Sequence, residues 1–184
     1  MVLETLSREQ YAREYRAAHD AVFRPGELED GPFVNPRWRM VLLGTGLYVE
    51  EDVFAALAAA ARQHGDHEIV FVDREGQFPD QPPVRIAWEW DRWEEARCTV
   101  LGHVHAEVFG GSGAWGMVAS YDGFCVLGGE ESFVAAFEAA IPGGRQAVRD
   151  RFVAAAGNGM IFTSETGLRY AARLVAMVGW KDEA

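Results

Sequence analysis

The chain has 184 residues, 28 acidic against 17 basic for a net charge of −11, and 49% of them are apolar. That suits one domain with a full core, or one domain with an appendage. The charge disfavours binding to a phosphate backbone, where Lys and Arg must replace counterions, and no apolar run is long enough to span a bilayer.

The opening residues, MVLETLSREQ, contain neither a basic stretch nor an apolar one, so a cytoplasmic protein without a signal peptide is the expectation. Ser7 and Gln10 have the spacing of a capping box, and Leu6 and Tyr11 that of a hydrophobic staple. A helix over residues 7–23 follows, with Tyr11, Tyr15, Ala18 and Val22 on one face and Pro25-Gly26 as its stop. Residues 27–37 hold Pro, Gly and acids without a period and read as a loop. They divide an N-terminal helical arm (1–26) from a single α+β domain (36–184), unless the whole chain is one domain.

Residues 39–48 suit a short strand and a turn at Gly44 to Gly46. A helix over 49–63 then carries Glu50, Glu51 and Asp52 in its first turn, where carboxylates favour the helix dipole. Those carboxylates also argue against an anion at "LGTGLYVEED". "EIVFVD", residues 68–73, is the clearest strand. Residues 84–90 alternate, with Val84, Ile86, Trp88 and Trp90 on one face. Residues 91–97 fit either a helical turn or continued strand, and residues 98–109 alternate as a strand. Strands at 115–120 and 124–127 are joined through Asp122-Gly123, a good hairpin turn, with Ser120 and Tyr121 expected at the surface. Gly128-Gly129 then breaks the strand into a helix over 130–141 bearing Phe133, Phe137 and Ile141. A helix over 145–156 turns Val148, Phe152 and Ala155 inward, and a last one, capped by Thr163, does so with Leu168, Ala172, Val175 and Val178. Clustered strands followed by clustered helices predict an α+β fold, a mostly antiparallel sheet of about five or six strands against several helices.

Three constellations invite chemistry. "WEWDRWEEAR" sets Trp88, Trp90 and Trp93 among acids. Two tryptophans belong inside, whereas Trp93, after a turn, is expected at the surface. With Glu89, Asp91, Glu94 and Glu95 it forms a candidate binding edge for a basic protein partner, tryptophan being frequent among binding hot spots. His103, His105 and Glu107 would share one strand face, a row that suits either a solvated surface or a divalent metal, with His64 and His67 as further donors. Cys98 and Cys125, both in apolar runs, read as buried reduced thiols. No nucleophile carries a local signature and no cofactor is implied.

The module from Trp115 to Ile141 combines Trp-Gly, an apolar strand, a polar turn, an aromatic strand, "LGG", acids and "F-V-x-x-F". It resembles immunity proteins of bacterial polymorphic toxin systems and similar actinobacterial proteins. The resemblance implies a small, acidic, cytoplasmic protein that occludes a toxin's active site. The shared positions are apolar or glycine, so it implies no site residues. A non-enzymatic protein-binding domain is therefore the leading expectation. The alternatives are a metal-binding or hydrolase-like protein using the histidine row, and a self-assembling subunit with residues 1–26 as a docking arm.

Overall fold

The computed structural model describes residues 3–25, 31–45, 48–74, 82–99, 105–120, 123–157 and 165–180. Within them, β-branched and aromatic runs form strands β1 (Glu4–Thr5), β2 (Arg39–Leu43), β3 (Glu68–Asp73), β4 (Val84–Ala87), β5 (Ala106–Phe109), β6 (Trp115–Ala119) and β7 (Cys125–Gly129). The amphipathic segments form helices α1 (Arg8–Glu14), α2 (Arg16–Val22), α3 (Glu51–Gln63), α4 (Trp90–Thr99), α5 (Glu131–Ala140), α6 (Gly144–Gly157) and α7 (Glu165–Met177). All strand pairs are antiparallel, in one sheet of order β1-β4-β3-β5-β6-β7-β2. The fold is α+β, with seven strands among the described residues. No helix among those residues is long and apolar enough to cross a membrane.

Register sorts the side chains onto two faces, because successive residues of a strand alternate. Met117 lies opposite Val108 and Leu127, and Phe71 opposite Val108 and Val84. This face receives α3, α4 and α5: Trp115 stacks on Phe133 at 5.2 Å, and Phe71 meets Trp93 at 5.3 Å. The other face carries Gly116, Val118, Phe109 and Val70, and α2 lies on it, His19 and Phe23 contacting Phe109. Gly116 is glycine because a Cβ there would stand 2.4 Å from Val22 and 2.7 Å from Phe23, and a Cβ on Gly128 would stand 2.3 Å from Phe33. One hydrophobic cluster runs from Leu6 through both faces of the sheet to Trp180. Tyr11, Tyr15 and Val22 of α1 and α2 and their junction thus belong to that core.

Several expectations are corrected. The first helix is two, broken at Tyr15 (φ −127°, ψ −23°), whose buried hydroxyl donates to Glu68 and accepts from Arg85. Its capping box forms as expected from Ser7 and Gln10. Gly128 and Gly129 do not break β7; they pair with both Gly116 and Trp115 on one side and Met40 and Arg39 on the other. Ser120 is buried, not exposed. Residues 90–99 are helical, so the strand expected over 98–109 does not start at Cys98; it is present as β5 from Ala106, with residues 100–104 outside the described residues. Cys98 therefore lies exposed on the last turn of α4, while Cys125 is buried and its thiol is pushed far up by desolvation. In α7 the buried residues among those whose side chains are described are Ala171 and Leu174, with Val175 and Val178 partly covered; Ala172 is exposed, and the side chain of Leu168 lies outside that description. The hairpin residues Tyr121 and Asp122, the cap Thr163 and the candidate ligand His103 lie outside the described residues.

Candidate functional site

Helix α4 begins where three tryptophans close around one phenylalanine. Phe54 of α3 has Trp88, Trp90 and Trp93 at ring distances of 5.8, 5.4 and 5.4 Å. Trp93 is fully buried. The expectation that it forms an exposed hot spot is overturned: at three residues from Trp90 and three from Ala96 it lies on the inner stripe of a helix, not beyond a turn. Its indole anchors α4 to the sheet and fixes what the helix shows outward.

The outward residues are those expected. Glu89 and Asp91 are exposed, and Glu94 and Glu95 are part-exposed. Arg92 lies 3.8 Å from Glu89 and 2.9 Å from Glu95, and Arg97 lies 2.5 Å from Glu94. The ridge is thus laced by pairs three residues apart, with acids in excess. Arg97 also sits over the ring of Tyr48, 4.5 Å from its centroid, and Tyr48 is 57% exposed. This contact, which no local sequence pattern announces, joins α4 to the segment entering α3.

Between the end of β2, the first turn of α3 and α6 the surface dips into a cleft of about 250 Å³. Leu43, Val53, Val148 and Ala155 supply apolar lining, and Glu50 and Arg151 polar lining. A Cβ on Gly44 would stand 2.8 Å from that of Ala155, so the glycine lets α6 close on β2. Arg151 donates through Nη1 to Glu50 (2.6 Å) and through both terminal nitrogens to Asp52 (3.0 and 2.6 Å). The Arg151 hydrogen bonds hold the Asp52 carboxyl below the usual carboxylate range, and the same bonds hold the guanidinium above its own.

Of the expected histidine row, His103 lies outside the described residues, and the other two members stand in different settings. His105 precedes β5 and is half-buried, and its carbonyl accepts from the Arg74 amide at 2.8 Å. Glu107, expected on a solvated row, is buried on the face beneath α2. Its carboxylate receives Arg74 and approaches His19 Nε2 at 2.7 Å. His19 lies 88 residues away in sequence, too far for any spacing rule to associate the two. His64 holds the α3–α5 junction, Nδ1 against the Ala60 carbonyl at 3.0 Å and Nε2 against Ser132 Oγ at 3.2 Å; His67 is exposed. Among the described residues no three His, Cys, Asp or Glu side chains are grouped to hold a metal ion.

The other buried carboxylates are occupied as well. Asp66 accepts from the Ser112 amide (2.8 Å), the Ser112 hydroxyl (2.7 Å) and Trp115 Nε1 (2.8 Å). Glu138 is raised by burial, against which Arg39 and Arg145 pull. Tyr15, desolvated and bonded to Glu68, is pushed up to about 12.

No protein-family model, curated protein or solved structure significantly matches this chain.

Proposed function

We propose that this chain is a non-catalytic, acidic protein-binding domain that engages a basic partner. The surface is the outer side of α4, Glu89, Asp91, Glu94 and Glu95, continued by Tyr48. The observation that carries the reading is Tyr48 itself: an aromatic ring 57% exposed and held against Arg97, which is itself paired to Glu94 of the ridge. An ordered, amphipathic ring beside charge is the kind of group on which binding energy concentrates. Trp93 contributes from below, by making the ridge rigid before any partner arrives. The resemblance of residues 115–141 to immunity proteins gives the reading a specific form, occlusion of a toxin's active site in the cytoplasm.

The test begins with native mass spectrometry of untagged protein from its own host, to identify a basic partner. With that partner in hand, the double variant Glu94→Lys/Glu95→Lys is expected to slow association by about tenfold at low salt and to flatten its salt dependence. Tyr48→Ala is expected mainly to speed dissociation. Association rates indistinguishable from the parent chain, with circular dichroism unchanged, overturn this surface.

A further inference from the structure

We infer that the cleft between β2, α3 and α6 is a socket for a single arginine or lysine side chain of the protein partner. The inference rests on the protein-binding reading above and states what that partner must present. Apolar lining from Leu43, Val53, Val148 and Ala155 suits the methylene stem of a long basic side chain. The rim decides the sign of the head group. Arg151, the cation that lines the cleft, already has both terminal nitrogens engaged by carboxylates. Its two carboxylate partners, Glu50 and Asp52, outnumber it. An incoming anion would have to displace Glu50 or Asp52, whereas a cation reaches Glu50, whose side chain is 59% exposed, without breaking anything. A free organic cation has the same chemistry, but the setting favours a protein. Tyr48, two residues before the Glu50 that lines the cleft, is tied by Arg97 to the acidic ridge, so one short segment of chain links the cleft to the proposed binding surface.

The experiment is amide NMR of the full chain titrated with capped arginine, capped norleucine and capped glutamate, followed by butylguanidinium and a capped pentapeptide with a central arginine between apolar residues. Capped arginine is expected to give saturable shifts at Thr45, Val53, Ala154 and Ala155, and capped glutamate none. Glu50→Gln is expected to weaken binding about threefold. Ala154→Leu, at an exposed cleft-lining position that tolerates a larger side chain, is expected to abolish it. The pentapeptide is expected to bind more tightly than butylguanidinium. Shifts that are absent, scattered, or equal for arginine and glutamate overturn the socket, and tighter binding of butylguanidinium than of the pentapeptide overturns the protein source. Partner binding that survives Ala154→Leu but not Glu94→Lys/Glu95→Lys removes the socket and leaves the reading. Arginine binding with a partner indifferent to the ridge removes the reading and leaves the socket.

Discussion

Asp66 shows how much one side chain organises here. It lies just past the C-terminal end of α3, is 4% exposed, and its carboxylate accepts three hydrogen bonds from Ser112 and Trp115. Its backbone carbonyl accepts a fourth, from Trp88 Nε1 at 3.1 Å. A Cβ on Gly110 would stand 2.1 Å from the Asp66 carboxylate, so the "GGSG" turn is glycine-rich partly to admit it. Asp66→Ala leaves a backbone amide, an indole N–H and a hydroxyl facing a void and is expected to cost about 2–4 kcal/mol, read as a lower urea midpoint with an unchanged slope. Little of this was legible beforehand. Within "HGDHE" the histidines draw attention and the aspartate does not, and its indole partner lies 49 residues on. Glu107 follows the same logic: its type and its strand were readable, but its burial was set by Arg74 and His19 arriving from other elements.

At the scale of elements, the clasp between α3 and α6 makes a pH-dependent contribution whose sign follows from its geometry. Asp52 is depressed in the folded chain, so its share of stability is complete above the ordinary carboxylate pKa of about 4 and is lost as pH falls through the lower folded value. Both side chains are 36% exposed, so solvent screening limits that share to about 0.5–1 kcal/mol. Asp52→Asn is expected to lower stability at pH 7 by that amount and to flatten the acid side of a stability–pH curve measured by urea denaturation. Helix α3 itself was plain in the sequence, because alanine-rich periodicity and a first-turn acid cluster point the same way. Helix α4 was not. Trp88 and Trp90 alternate as in a strand while Trp90 and Trp93 are spaced as in a helix, and in the fold all three gather on Phe54 of α3, with β3 and β4 between the two helices in the chain.

At the scale of the whole molecule, the sheet is covered on both faces, by α1 and α2 on one and by α3, α4 and α5 on the other. Deleting residues 1–26 removes Leu6, Tyr11, Tyr15, Val22 and Phe23 from the core and opens the face bearing Val70, Phe109 and Val118. The truncated chain is expected to form large species or fail to fold, as seen by light scattering after size exclusion. A well-folded monomer would instead show those helices to be an accessory arm. The α+β class was legible because strands cluster between residues 68 and 129 with helical patterns around them. The strand order was not, since β2 joins β7 and β1 joins β4 across long separations that no local pattern encodes.

The sheet's two ends bear on how this protein behaves when crowded. At one end β1 is only two residues long, and its Glu4 is paired to Arg85 of β4; at the other, α7 packs against β2. A template for strand addition needs a long run of free amides and carbonyls, and a two-residue charged strand offers almost none. A chain this rich in β-branched and aromatic segments is therefore expected to resist edge-to-edge polymerisation at high concentration, a consequence of where its shortest strand has been placed.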